Sequence, residues 1–126
     1  LANIHMRLGE VANLAVRLRP VEDGLGEEEP VDRVVLDLPE PWKLTSLVAA
    51  ALRPGGIFLC YVPTIVQSHQ IAEALQHEPH WALVETFETL YRPWNIEGQS
   101  VRPFHRMVAH TAFLTFARRT ADGRQP

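Results

Sequence analysis

The stretch DRVVLDLPEPW, residues 32–42, decides the fold of this chain. Its apolar run, residues 34–36, is typical of a strand buried in a parallel sheet. Pro39 and Pro41 lack backbone donors, so the strand should end at or near Asp37. A carboxylate then reaches the carboxyl end of a central strand, where open α/β sheets bind ligands. The alternative is that Asp37 caps the next helix, and the spacing alone favours that alternative.

Short strands and helices continue on both sides of this stretch. We predict strands at residues 12–18, 33–37, 57–62, 83–91 and 110–118, and helices at residues 42–52 and 65–76. Thr64 is the expected N-cap of the second helix, and residues 92–109 are expected to form a long excursion. This order predicts an α/β fold with a mostly parallel sheet and a C-terminal antiparallel strand pair at its edge.

Apolar spacing also predicts which side of each helix faces the sheet. The first helix should bury Trp42, Leu44, Leu47, Val48, Ala51 and Leu52. The second helix should bury Ile65, Val66, His69, Ile71, Ala72 and Leu75. Residues 53–56, Arg-Pro-Gly-Gly, separate the first helix from the next strand and are predicted to form a turn.

The length of 126 residues suits one domain or part of one. The net charge of −3 is mild, but the charge is unevenly distributed. Residues 20–32 carry six acids and no Lys or Arg, whereas residues 91–119 carry five arginines and one acid, for a local balance of +4. A basic segment in an acidic protein is compatible with a polyanionic partner, and chance clustering on a solvated surface explains it about as well.

The single cysteine, Cys60, excludes an intrachain disulfide. It lies in an apolar run, so a buried inert thiol is expected rather than a nucleophile. No Cys/His spacing of a metal site occurs, and no stretch reaches the roughly 18 apolar residues of a membrane span. We therefore expect no metal, no membrane contact and a cytoplasmic location.

Asp37 and Tyr61 close two consecutive predicted strands. If those strands are adjacent and parallel, both groups face one crevice. A carboxylate can accept a hydrogen bond from an exocyclic amine, and a tyrosine ring can stack on a planar ligand. The pair therefore indicates a site for a nitrogenous base, the alternative for Tyr61 being a half-buried core aromatic.

A third group of residues lies in SVRPFHRMVAHTAF, residues 100–113. Arg102, His105, Arg106 and His110 alternate there with aromatic and apolar residues. Cations and aromatics interleaved on a loop suit the phosphates and unstacked bases of a nucleic acid. The alternative is a loop tied to the sheet edge by arginine–carboxylate pairs.

Three blocks in order carry a family resemblance that covers nearly the whole chain. They are LDLPEPW at 36–42, RPGGIFLCYVPTIVQ at 53–67 and FETLYRPWNIEGQSVRPFHRMVAHTAFLTFARR at 87–119. Together they resemble the bacterial and archaeal tRNA (adenine-58-N1)-methyltransferases of the TrmI type. The resemblance implies a Rossmann-like class I methyltransferase fold, S-adenosyl-L-methionine as cofactor, tRNA as partner and a homotetramer. It also implies that Asp37 and Tyr61 flank the target adenine and that Asp37 lies near the cofactor.

Two features depart from the family pattern. The family's glycine-rich cofactor loop and ribose-binding acid have no match, and LANIHMRLGEVANLAVRLRPVEDG, residues 1–24, resembles the stretch after them. Pro20 stands where the family usually has an acid near the cofactor adenine, so Glu22 or Asp23 is the candidate substitute.

From the resemblance we expect residues 1–119 to be the C-terminal part of a catalytic domain whose first strands are missing. Residues 120–126 are expected to be a disordered tail. Such a piece should be inactive alone, and the strand at 12–18 would lack its neighbours. The alternatives are a non-catalytic subunit or assembly module with the same fold, and a methyltransferase for another substrate.

Overall fold

The structure, a computed structural model, describes Gly9 and residues 12–24 and 29–121. A short 3-10 turn, Val21–Asp23, precedes the sheet, and a second, Pro41–Leu44, leads into the first α-helix. The strands are β1 Val31–Leu36, β2 Leu52–Val62, β3 Trp81–Phe87, β4 Trp94–Glu97, β5 Ser100–Pro103 and β6 Phe113–Arg119. The α-helices are α1 Thr45–Ala51 and α2 Ile65–His77.

Four strands form a mixed sheet in the order β1-β2-β6-β3, and β4 and β5 form a separate hairpin. β1 and β2 are parallel, as the connection through α1 requires. β6 is antiparallel to both β2 and β3, so the last strand inserts between two earlier ones. The expected α/β sheet with a C-terminal antiparallel pair is thus confirmed, and β3 forms the edge of the sheet.

The hydrophobic core lies on the face of the sheet that α1 and α2 cover. Phe58, Cys60 and Val62 alternate along β2 and are fully buried. Trp81 packs against Phe58 with ring centroids 5.3 Å apart. Its indole nitrogen donates to Glu78 Oε2 at 3.1 Å, so the largest core side chain also has its polar atom satisfied.

The opposite face of the sheet carries the alternate residues of the same strands. Val35 pairs with Leu59, and Leu59 pairs with Phe116. Val35 is 63% exposed, so this face is open in the part of the chain that the structure describes. Tyr61 belongs to this face by alternation from Leu59, and it is half-buried.

The strand predicted at 12–18 is wrong, because these described residues form no strand. Their side chains are exposed, and a strand without a hydrogen-bonding neighbour has no ladder to stabilise it. The predicted start of β2 is also wrong. Val31 pairs with Leu52 and Arg33 with Ile57, so β2 begins at Leu52 with an irregularity that includes Gly55 at φ +79°.

Further differences concern the second half of the chain. The strand predicted at 83–91 lies instead at Trp81–Phe87, with a register shift between Ala82 and Glu85. The excursion at 92–109 contains the β4–β5 hairpin, which the sequence did not indicate. β6 begins at Phe113, three residues later than predicted.

Helix α2 confirms its predicted cap and corrects its predicted face. The Thr64 hydroxyl accepts from the Gln67 backbone N–H at 3.3 Å. Ile71 and Leu75 are buried as expected, whereas Ile65, Val66 and His69 are exposed. The first turn of α2 follows the end of β2, so its side chains lie at the sheet edge rather than over the core.

The C-terminal tail falls only partly within the described residues. The backbone N–H of Thr120 donates to His80 O at 2.9 Å, which continues the pairing of β6 with β3. Residues 122–126 of the expected disordered tail lie outside the described part of the chain.

Candidate active site at the carboxyl edge of the sheet

Asp37 and Tyr61 occupy neighbouring positions at the carboxyl edge of the two parallel strands. Leu36 pairs with Cys60, so the next residue along each strand is Asp37 and Tyr61 respectively. Adjacent strands lie about 4.8 Å apart. The structure therefore brings together the two residues that the sequence singled out, with Asp37 exposed and Tyr61 half-buried.

The loop that follows Asp37 is fixed from two sides. Gln67 Nε2 donates to the carbonyl oxygen of Pro39 at 3.0 Å, which joins the loop to the first turn of α2. Pro41 is buried and begins the 3-10 turn. These contacts hold the backbone around Asp37, as a binding carboxylate requires. Sequence reasoning missed Gln67, although it is the last residue of the block RPGGIFLCYVPTIVQ.

The basic excursion begins and ends at the same edge as Asp37 and Tyr61. Tyr61 pairs with Leu114, and Leu114 pairs with Phe87 on its other side. Residues 88–112 therefore leave the sheet just after Phe87 and return to it at Phe113. The sheet order puts the returning end of this segment, at β6, directly beside the end of β2 that carries Tyr61, and its leaving end, at β3, one strand further along the same edge.

His110 is bound to the end of β2. Its Nε2 lies 2.9 Å from the carbonyl oxygen of Pro63, and its ring centroid lies 4.6 Å from that of Phe113. A carbonyl oxygen only accepts, so the imidazole donates through Nε2. The sequence suggested a contact of His110 with nucleic acid, and the structure gives this side chain a contact within the protein.

Arg102 lies on the hairpin, where Asn95 is its partner across the ladder. Gly98, at φ +56°, occupies the turn of the hairpin, a conformation that disfavours other residues. His105 and Arg106 follow β5 and are exposed. Over residues 29–121, none of these three side chains pairs with a carboxylate, so the structure shows no arginine–carboxylate pair within the described chain that ties this loop to the sheet edge.

A cleft of about 420 Å³ is lined in part by the loop that follows Asp37. Residues 19–22 line one wall, and residues 38–40, 43 and 44 line the other. Glu22 is part of this lining and Asp23 is not. Of the two candidate acids, Glu22 thus shares this cleft with Pro39, two residues after Asp37.

Cys60 is fully buried in the core, as expected. Burial raises the pKa of its thiol to about 12, so the thiol is protonated at neutral pH and is no nucleophile. The described residues contain no group of three or more His, Cys, Asp or Glu side chains that could hold a metal ion. Nor does that part of the chain contain a helix long and apolar enough to cross a membrane.

Comparison with known proteins identifies related chains. A family model described as "tRNA methyltransferase complex GCD14 subunit" matches residues 7–102. The tRNA (adenine(58)-N(1))-methyltransferase TrmI of Thermus thermophilus is 34% identical over 110 residues, 87% of this chain and 43% of that protein. The tRNA (adenine(57)-N(1)/adenine(58)-N(1))-methyltransferase TrmI of Methanocaldococcus jannaschii is 38% identical over 93 residues, 73% of this chain and 33% of that protein.

A solved structure supports the fold over nearly the whole chain. The crystal structure of a SAM-dependent O-methyltransferase from Thermotoga maritima superimposes with a TM-score of 0.88 at 32% identity. The match covers 99% of this chain and 46% of that one. The chain therefore spans less than half the length of each of these three proteins.

Proposed function

Because the chain belongs to the family described as tRNA methyltransferase complex GCD14 subunit, we propose that it methylates N1 of an adenine in tRNA. The methyl donor is S-adenosyl-L-methionine, and the target is position 58 in the T-loop, as in the name of the Thermus relative. The observation that carries the proposal is that Asp37 and Tyr61 lie next to each other at the edge of the sheet where the basic excursion begins and ends.

The two residues suit an adenine that has left the base stack. A flipped base needs a stacking surface and hydrogen-bond partners for its edge. The Tyr61 ring supplies the first, and the Asp37 carboxylate can accept from the exocyclic amine. Methylation at N1 leaves a positive charge on the ring, which the same carboxylate stabilises. The remaining contribution of these side chains is to orient N1 for attack.

The cleft beside the loop fits part of the cofactor. Val21, Leu38 and Leu44 give it apolar walls, and Glu22 adds a carboxylate that can accept from ribose hydroxyls. Bound there, the cofactor supplies an electrophilic methyl group. Glu22 and the backbone around Pro39 would hold its adenosine part.

We also propose that the protein works as a cytoplasmic homotetramer. The hairpin supports subunit contact, because Ile96 is 74% exposed and Val101 is 59% exposed in the described chain. Exposed apolar side chains clustered on one element often mark an interface. Sedimentation of the complete native protein and of its Ile96→Glu variant tests the assembly, with a lower oligomer expected for the variant.

The activity is tested with the complete native protein, labelled S-adenosyl-L-methionine and an unmodified tRNA transcript. Nucleoside digestion and mass spectrometry should find 1-methyladenosine, and a transcript with guanosine at position 58 should remain unlabelled. Methylation of a hydroxyl instead would favour the O-methyltransferase activity named for the Thermotoga structure. A native protein that binds tRNA without methylating it would favour the non-catalytic subunit.

A further inference from the structure

The segment between β3 and β6, residues 88–112, lines a second cleft of about 420 Å³, which we call the flanking cleft. Its lining residues are Thr89, Leu90, Tyr91, Pro93, Arg106, Met107, Val108 and Thr111. Its volume lies within the usual range for pockets that take small organic molecules or single nucleotides. None of its residues belongs to the strand ends that form the candidate active site.

The flanking cleft lies at the root of the excursion. One wall comes from residues 89–93, just after β3, and the other from residues 106–111, just before β6. Leu114 in β6 pairs with Phe87 on one side and with Tyr61 on the other. The cleft and Tyr61 therefore share the carboxyl edge of the sheet, which a single bound strand of nucleic acid can follow.

The side chains of the flanking cleft combine three kinds of chemistry. Tyr91 is 81% exposed and offers an aromatic face. Arg106 makes no ion pair with any residue the structure describes, so its guanidinium is available to a ligand anion. Thr89 and Thr111 add hydroxyl groups. An aromatic face, an available cation and hydroxyls together match the base, phosphate and sugar of a nucleotide.

We propose that the flanking cleft binds an unpaired nucleotide next to the target adenine, with the base against Tyr91 and the phosphate at Arg106. The inference rests on the proposed function, because an RNA with its adenine between Asp37 and Tyr61 must continue along this edge. Extruding one base from a loop also frees its neighbours for stacking on protein. Residues 92–109 carry three arginines and one acid, a positive balance that is complementary to the phosphates of RNA.

The test uses the complete native protein and three hairpin RNAs with the T-loop sequence. Two carry the fluorescent base 2-aminopurine, one on each side of the target adenine, and the third carries it in the paired stem. Stacking on Tyr91 should change the fluorescence of one flanking probe and leave the stem probe unchanged. Tyr91→Leu should abolish that change and weaken binding about tenfold, whereas Tyr91→Phe should retain both.

The arginine has a matched control in the chain. Arg106→Gln should weaken RNA binding, and Arg92→Gln, which removes a neighbouring charge outside the cleft lining, should weaken it less. Methylation without a fluorescence change at either flanking base would overturn the proposal that the flanking cleft binds a nucleotide. It would leave the proposed function intact. If Tyr91→Leu changes the oligomeric state and leaves RNA affinity unchanged, the flanking cleft is a protein interface and the nucleotide proposal is wrong. A native protein that neither binds nor methylates the RNA would overturn both proposals.

Discussion

The imidazole of His110 donates from Nε2 to the carbonyl oxygen of Pro63 across 2.9 Å, although 47 residues separate the two in sequence. Pro63 follows the last residue of β2 and lies two positions after Tyr61. The bond therefore joins the returning end of the basic excursion to the strand that delivers Tyr61. We therefore expect His110 to act as a positioning residue for the candidate site.

Replacing His110 should remove the hydrogen bond that holds the end of the excursion to β2, without removing a phosphate contact. We expect His110→Ala to lower tRNA affinity severalfold, because the excursion loses one fixed end. The slope of the logarithm of the binding constant against the logarithm of the salt concentration should stay the same. Affinity measured at several salt concentrations checks this, with His110→Gln as the variant that retains a donor. A slope reduced by about one unit would instead make His110 a phosphate contact.

Asp37→Asn in the complete protein should reduce the methylation rate by roughly 10²–10⁴-fold, the range for a lost acid–base or electrostatic group. The fold should persist, since the residue is exposed and the amide has nearly the same size. Asp32→Asn in β1 is the control, and it also removes the exposed ion pair of Asp32 with Arg53. A methylation rate for Asp37→Asn close to that of the control would contradict the catalytic role.

The double substitution Arg102→Gln and Arg106→Gln should weaken tRNA binding and flatten its dependence on salt. Each lost phosphate contact lowers the slope by roughly one unit. Cofactor affinity should hardly change, because neither arginine lines the cleft proposed for the cofactor. Arg33→Gln with Arg53→Gln removes equal charge near the amino-terminal ends of β1 and β2, together with the exposed Asp32–Arg53 ion pair, and is the control. An intact slope with a collapsed melting temperature would make the two arginines structural.

Glu78 joins three elements of the core, and its loss should destabilise the domain. Its carboxylate accepts from the hydroxyls of Thr45 and Ser46 and from the Trp81 indole. Glu78→Ala should lower the free energy of unfolding by about 2 kcal/mol, because buried donors lose their acceptor. Glu73→Ala, on the exposed face of α2, should change it by less than about 0.5 kcal/mol. Urea denaturation of both variants measures the difference, and equal effects would contradict this assignment.

Cys60 should resist alkylation in the folded protein, because burial raises the pKa of its thiol from an ordinary 9.0 to about 12. The unfolded thiol ionises first as pH rises, so this group stabilises the fold fully below about pH 9. That contribution is lost progressively between about pH 9 and 12. The stability difference between the native protein and Cys60→Ala should therefore shrink from pH 7 to pH 10. Rapid iodoacetamide labelling of folded protein at pH 7 would contradict the burial.

Local chemistry explains which elements the sequence alone determined. Pro39 and Pro41 end β1 just before Asp37, and Pro63 ends β2 just after Val62, because proline offers no donor to a ladder. Thr64 caps α2 through a bond to a residue three positions away. Such signals act within a few residues, so the two strand ends and their functional groups can be recognised from sequence.

Only the tertiary structure decided which elements lie side by side. The insertion of β6 between β2 and β3, the His110–Pro63 bond and the flanking cleft all join residues far apart in sequence. Residues 12–18 alternate like a strand, yet they form none, because a strand is stabilised by its neighbour and not by its own pattern. The register of each strand and the choice of its neighbour depend on the burial of side chains summed over the whole sheet. A local pattern of residues does not contain this information.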